Sequence, residues 1–283
     1  MNCYATLFLR RASEGDGHFK KLAEKRIRPE ISFEYGGLDA SEARRREVVA
    51  ILKNAGLRCA VHLPYSGILP GASDSALWDK SVDGLCRAAE IAAWYGADHL
   101  IGHPEFNFLT DSEAAVSGLA ARRGGDLDSA SARASALWLE RSSRCWNKVL
   151  LVSDAKLYLE NTGDHSPQAI VELLDMLPER RAAMCFDVGH WFSAAGGSEL
   201  HNLADWVKRL SRRLGHLHLH DNNGLHDQHL GMGEGGIDFQ MFFGLLKQYG
   251  LNPTFTLEAH TLDSLEKSLT WIDLHSAAMP GNF

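Results

Sequence analysis

Eight short strand-like runs alternate with longer amphipathic stretches along the chain. The runs are Cys3–Leu9, Pro29–Tyr35, Arg58–Leu63, Asp98–Gly102, Leu157–Glu160, Ala183–Phe186, Gly215–Leu219 and Thr254–Leu257. Strands that alternate with helix-length segments are typical of right-handed βαβ units, which build a parallel sheet. Because eight such units close a (β/α)8 barrel, the pattern predicts an α/β protein with one TIM-barrel domain over residues 1–283.

Helical periodicity fills the intervals between these runs. It is clearest where Leu77, Val82, Leu85 and Ala89 recur at helical spacing. The predicted helices are Ser41–Ala55, Ser75–Tyr95, Ser129–Val149, Pro167–Leu177, Glu199–Leu214, Phe239–Tyr249 and Leu262–His275. The alternative, an open doubly wound sheet, normally carries a glycine-rich phosphate loop after its first strand, and Arg10–Ser13 contains no glycine.

Composition excludes several classes of protein. The 283 residues carry a net charge of −7 and are 45% hydrophobic, which argues against an intrinsically disordered chain. No segment approaches the roughly 18 apolar residues of a membrane span, and the apolar start precedes its arginine pair, the reverse of a secretory signal. The five cysteines are scattered and form no CxxC pair, so we expect reduced thiols and a cytoplasmic protein.

Potential metal ligands follow strands three to eight. In a barrel these carboxyl-terminal strand ends meet at one mouth, where catalytic residues collect. Carboxylates gathered there would repel each other and resist desolvation unless cations neutralised them. Mixed nitrogen and oxygen donors without thiolate suit Zn, Mn or Fe, and the number of donors exceeds the capacity of one ion. We therefore predict a site for two or three ions, with these ligands: His62, His103, Glu160, Asp187, His190, His218, Asp227, His229 and Glu258.

Other residues near this mouth have less certain roles. Residues His216, His218 and His220 alternate on one face of strand seven, and spacing alone does not choose between His218 and His220 as the ligand. Tyr65 and His260 are candidate substrate contacts, although packing explains Tyr65 equally well. Five other histidines are expected to be ordinary helix or loop residues: His18, His99, His165, His201 and His275.

The motifs HLPY, HP, LENTG, DVGH, HLHD, DQH, GEG and LE together resemble the xylose-isomerase-like TIM-barrel superfamily, also called AP endonuclease family 2. Endonuclease IV in that superfamily has a trinuclear zinc centre. The resemblance implies one ion at His62, His103 and Glu160, a central ion at Glu160, Asp187, His218 and Glu258, and a third at His190, Asp227 and His229. It also favours His218 over His220, because HLHD aligns with the HLND of the family.

The resemblance implies two kinds of chemistry. Sugar isomerases and epimerases of the superfamily use only the central set with one Mn²⁺ or Co²⁺, and there Glu160 and Glu258 would move protons as the catalytic pair. The five further ligands favour the other chemistry, hydrolysis of a phosphoester with two or three Zn²⁺ ions.

We therefore expect hydrolysis of a phosphoester in a small or nucleotide-like substrate, with corrinoid-remodelling phosphodiesterases as one analogy. The alternative is a sugar or sugar-phosphate isomerase or epimerase. A third hypothesis is a non-catalytic metal-binding or carbohydrate-binding barrel. Duplex DNA is not expected as a partner, because the chain lacks the opening GAHVSAAGG-like stretch of endonuclease IV.

Overall fold

The structure is a computed structural model that describes residues 3–13, 15–34, 37–105, 129–164, 166–197 and 202–281, with only the backbone for 129–132. In these ranges eight parallel strands pair in chain order, and the last pairs with the first to close a barrel. The predicted TIM barrel is therefore confirmed. The strands are β1 (Cys3–Phe8), β2 (Arg28–Ser32), β3 (Ala60–His62), β4 (His99–Gly102), β5 (Lys156–Glu160), β6 (Ala182–Asp187), β7 (Leu214–Leu219) and β8 (Thr254–Leu257).

Helices connect the strands on the outside of the barrel. In the described ranges they are α1 (Gly17–Lys25), α2 (Glu42–Ala55), α3 (Ser75–Tyr95), α4 (Ser129–Val152), α5 (Gln168–Asp175), α6 (Val188–Ala194), α7 (Leu203–Leu210), α8 (Phe239–Gln248) and α9 (Leu262–His275). Side-chain caps define many of their starts, as where the Ser41 hydroxyl accepts a hydrogen bond from the Arg44 amide. Glycines in left-handed backbone end α2 and α3 at Gly56 and Gly96.

Some element boundaries differ from the predicted ones. Helix α1 was not predicted; it begins where the Asp16 carboxylate accepts hydrogen bonds from the amides of His18 and Phe19. Strand β2 ends at Ser32, where its hydroxyl accepts a hydrogen bond from the Glu34 amide and the chain turns. The predicted strand extended to Tyr35, which lies outside the described residues, as do the first residues of the helix predicted at 199–214.

Apolar side chains fill the layer between the barrel and the helices, whereas the barrel interior is largely polar. Two apolar side chains at the interior are Ile101 and Tyr158. Glu30 lies beside them and accepts a hydrogen bond from the Thr256 hydroxyl at 2.6 Å. His99, predicted in a helix or loop, is instead the first residue of β4, with Nε2 3.9 Å from Glu30 Oε2. The interpretation of His99 was wrong because a polar side chain in a barrel strand can face other polar side chains across the interior.

All five cysteines are free thiols, four of them buried. This agrees with the expected absence of disulfides. No helix in the described ranges is both long and apolar enough to cross a membrane.

Candidate metal centre

The barrel brings all nine predicted ligands to one mouth. They form three overlapping groups. The side cluster is His62, His103 and Glu160; the central cluster is Glu160, Asp187, His218 and Glu258; the peripheral cluster is His190, Asp227 and His229. Each group is positioned by the carboxyl ends of different strands or by the loops that follow them.

His218 lies at the middle of the central cluster. Its Nδ1 is 3.2 Å from Glu160 Oε1, 3.2 Å from Glu258 Oε2 and 3.7 Å from Asp187 Oδ2. Glu160, Asp187 and His218 are completely buried. Three carboxylates at or just after the ends of three strands therefore lie within 3.7 Å of one imidazole nitrogen.

Glu160 connects the central cluster to the side cluster. Its Oε2 is 3.2 Å from Nε2 of His62 and 3.2 Å from Nε2 of His103, while its other oxygen faces His218. One carboxylate with ligand atoms on both sides has the arrangement of a bridging ligand.

The peripheral cluster is assembled from helix α6, which follows β6, and from the loop after β7. Asp227 Oδ2 lies 3.3 Å from His190 Nε2 and 3.1 Å from His229 Nε2. His229 has φ +47°, a left-handed backbone that a non-glycine residue seldom adopts. Such conformations concentrate at functional sites, where surrounding contacts hold them.

Three histidine rings of the site make the same type of hydrogen bond to the backbone. Nδ1 of His62 donates to the Leu63 carbonyl, Nδ1 of His190 to the Asn161 carbonyl, and Nδ1 of His229 to the Glu258 carbonyl, at 2.9–3.1 Å. Because a carbonyl oxygen only accepts, these bonds assign a proton to Nδ1, so that each ring in its neutral form has its lone pair on Nε2. Each Nε2 faces a carboxylate of the site, as in histidines that bind a metal through one nitrogen and are oriented through the other.

Neighbouring histidines favour the ionised forms of Glu160 and Glu258. Burial alone would raise the pKa of Glu160, but His218 and His103 hold it well below its ordinary value. Burial would likewise raise the pKa of Glu258, which His218 and His229 lower. The histidines respond in the opposite sense: Glu160 and Glu105 outweigh burial and raise the pKa of His103 to about 9.

Several buried atoms of the site make no hydrogen bond to any described residue: Glu160 Oε1, Asp187 Oδ2, Glu258 Oε2 and both ring nitrogens of His218. Buried polar atoms of this kind are costly unless something binds them. The oxygen and nitrogen donors match those that Zn²⁺ and Mn²⁺ accept, so these residues fit divalent cations.

A cavity of about 340 Å³ opens beside the central cluster. Glu258 and His62 border it on the side of the ligands, and Tyr65 and His260, the two predicted substrate contacts, line it as well. Tyr65 also stacks on His103 with ring centroids 4.7 Å apart, and His260 stacks on His229 at 3.8 Å. Both rings therefore support ligands while facing the cavity.

Sequence reasoning missed two residues of the site. Glu30 lies beneath it, with Oε1 3.2 Å from His218 Nε2. Its sequence signal was a carboxylate inside an otherwise buried strand. His220, set aside in favour of His218, also reaches the mouth, with Nε2 3.2 Å from Asp187 Oδ1. The alternating His216, His218 and His220 placed all three on the inner face, so the choice between two of them was unnecessary.

The fold and these clusters define a TIM barrel whose mouth gathers candidate ligands for divalent cations. Residues 29–275 match the model of the xylose isomerase-like TIM-barrel family, and the chain belongs to that family. It is 31% identical over 227 residues to the uncharacterized protein MJ1311 of Methanocaldococcus jannaschii. The match covers 74% of this chain and 66% of MJ1311, so that the chain spans just under two thirds of the length of this relative.

Solved structures share the fold. A D-tagatose 3-epimerase-like protein superimposes with a TM-score of 0.74 at 18% identity, covering 98% of both chains. Endonuclease IV from Thermus thermophilus superimposes with a TM-score of 0.60 at 19% identity, again over 98% of both chains. At such identities the likeness concerns the fold alone.

Proposed function

We propose that this protein is a divalent-metal-dependent epimerase or isomerase of a small sugar or sugar phosphate. The observation that carries the proposal is the placement of two carboxylates: Glu160 Oε1 and Glu258 Oε2 each lie 3.2 Å from the same nitrogen of His218, beside a cavity that Glu258 lines. In the sequence analysis this function was the alternative to phosphoester hydrolysis. The likeness in fold to the D-tagatose 3-epimerase-like protein favours it over hydrolysis.

Both reactions require a proton to leave a carbon next to a carbonyl group. Glu258 is placed to take that proton because its side chain borders the cavity. A proton returned to the same carbon from the opposite face gives the epimer. A proton returned to the neighbouring carbon, with the carbonyl shifted, gives the isomer.

Glu160 is the proposed partner of Glu258 in this exchange. Its two oxygens face different histidines, so that its position is determined from both sides. A cation at Glu160, Asp187, His218 and Glu258 would supply Lewis acidity that polarises the substrate carbonyl. Its identity, with Zn²⁺, Mn²⁺ and Co²⁺ as candidates, stays a prediction.

The cavity fits a small molecule. Its volume of about 340 Å³ lies at the lower end of the range for small-ligand sites. Phe8 and Ser32 also line it, offering an apolar ring and a hydroxyl group to a polyol. Among the described residues that line it, Arg10 is the one arginine.

Phosphoester hydrolysis is kept as a second candidate because of one observation. The side and peripheral clusters both contact Glu160: His103 through one oxygen, and His190 Nδ1 at 3.2 Å through the other. Adjacent cation sites of this kind can clamp the attacking and leaving oxygens of a phosphoryl group.

The deciding experiment measures both activities on the metal-loaded protein. A panel of ketoses and ketose phosphates in D₂O is followed by NMR for deuterium incorporation and new sugars, and bis(p-nitrophenyl) phosphate serves as the hydrolysis probe. We expect exchange at a carbon next to the carbonyl, lowered by about 10²- to 10⁴-fold in Glu258→Gln. Glu24→Gln, which changes an exposed carboxylate on α1, is the control.

Phosphodiester cleavage without sugar exchange would reject the epimerase proposal. In that case His229→Ala should lower cleavage strongly, because the peripheral cluster would take part in hydrolysis. Absence of both activities would also contradict the proposal.

A further inference from the structure

His220 is a buried histidine without an assigned partner in the site. Its side chain is completely buried, and neither ring nitrogen makes a hydrogen bond to a described residue. The Nε2 atom faces carboxylates: it lies 3.2 Å from Asp187 Oδ1 and 3.6 Å from Asp227 Oδ1. An imidazole buried with both nitrogens unsatisfied is costly unless another group binds it.

Gly189 makes room for this ring. A Cβ at Gly189 would lie 2.0 Å from Cε1 of His220 and 2.3 Å from Nε2, closer than real atoms approach. Any other residue at position 189 would push the imidazole away from Asp187 and Asp227. The glycine of the DVGH motif and the second histidine of the HLHD motif are therefore structurally linked.

The imidazole ring of His220 also contacts two residues of the peripheral cluster. His220 stacks on His229 with ring centroids 4.0 Å apart, and its edge faces His190 at 5.6 Å. One ligand atom from each of His190, His220, Asp227 and His229 lies within 4.8 Å of the others. Ligand atoms of a tetrahedral zinc site are about 3.4 Å apart, so a small contraction would complete the site.

We propose that His220 is a fourth protein ligand of the peripheral cluster, which then holds a divalent cation with three imidazoles and one carboxylate. Four protein ligands are typical of a structural zinc site, whereas catalytic sites keep one position for water or substrate. A cation held by these four ligands would stay bound to the protein and balance the negative charge of the carboxylates around it. This inference does not depend on the proposed function, but it explains why these donors accompany a central cluster that is sufficient for sugar chemistry.

The test measures cation binding directly. Apo protein is titrated with Zn²⁺ against a competing chelator, and with Co²⁺ followed by its visible absorption, for the wild type and for His220→Asn. We expect the variant to lose or weaken one cation by at least about tenfold and to change the Co²⁺ spectrum of that site. Gly189→Ala, which removes no ligand, should have the same effect because its methyl group displaces the His220 ring.

His226→Asn is the control, since His226 is an exposed histidine of the same loop. An unchanged cation number, affinity and Co²⁺ spectrum in His220→Asn would overturn the proposal. So would weakening of the central cation alone, which would mean that His220 positions Asp187.

A measurement on the wild type keeps the proposal testable if a variant does not fold. In protein with ¹⁵N-labelled histidine, Zn²⁺ should shift one ring nitrogen of His220 together with those of His190 and His229. A His220 ring whose nitrogen signals do not respond to Zn²⁺ would contradict the assignment. Because no substrate is used, this result stands whether or not the protein epimerises a sugar.

Discussion

Asn161 holds the backbone of Asp187 with two hydrogen bonds. Its side-chain amide donates to the Asp187 carbonyl, and its side-chain oxygen accepts from the Asp187 amide, both at 2.9 Å. Both residues are completely buried, one just after β5 and the other at the end of β6. The pair therefore sets the relative position of Glu160, the residue before Asn161, and Asp187 in the central cluster.

Replacing Asn161 by alanine should destabilise the protein by about 3 kcal/mol, because both hydrogen bonds are lost and the Asp187 backbone groups stay buried without partners. Urea unfolding followed by circular dichroism measures the change. Asn147→Ala is the control, since its amide bonds only the Ser143 carbonyl within α4. A loss below about 1 kcal/mol for Asn161→Ala would mean that these bonds do not support the site.

Glu30→Gln should weaken binding of Zn²⁺ at the central cluster by about 10- to 100-fold, the usual effect of losing a group that orients a metal-binding histidine. Glu30 Oε1 is 3.2 Å from His218 Nε2, and glutamine keeps the size of the side chain but removes its charge. Competition titration with a chelator measures the affinity. Equal affinities in Glu30→Gln and the wild type would show that His218 is oriented without Glu30.

Arg10→Met should raise KM about 10-fold or more for a ketose phosphate and leave KM for the unphosphorylated ketose unchanged. Arg10 lines the cavity, is exposed, and forms no salt bridge with a described carboxylate, so its guanidinium is available to an anionic group. Steady-state kinetics on both substrates measures the difference. Arg209→Met, an exposed change on α7, is the control; equal effects of Arg10→Met on both substrates would reject phosphate recognition.

The stability of metal-free protein should fall as the pH rises from about 6.5 to about 9. Burial lowers the pKa values of His103 and His229, but Glu160 acting on the first and Glu258 on the second raise both to about 9. A histidine whose folded pKa exceeds its unfolded value of about 6.5 stabilises the fold fully below that value and loses this contribution as the pH passes the folded pKa.

Unfolding in urea with a chelator at pH 6, 7.5 and 9 tests this dependence. The decline should be shallower in His103→Gln, which removes one of the two groups. Zn²⁺ should bind more tightly over the same interval, because it competes with protons for these rings. A metal-free protein that gains stability between pH 6.5 and 9 would contradict the prediction.

The strand pattern was sufficient to predict the barrel and most of the polar residues that gather at its mouth. Parallel strands of a closed barrel end at one rim, so polar residues that follow successive strands, such as His62 and Glu258, meet whatever the details of packing. The period of two along a strand likewise predicted that His216, His218 and His220 share the inner face. These are local regularities that a chain carries in its residue order.

Tertiary structure decided the contacts that cross the barrel. Glu30 meets His218 only because β2 and β7 face each other across the interior, and His220 fits only because Gly189, from a different strand end, lacks a side chain. Such distances depend on barrel closure and on the depth of each residue along its tilted strand. Neither quantity can be read from the order of residues. The candidate ligands were therefore predictable as a group at one mouth, whereas their individual partners and the cavity beside them were not.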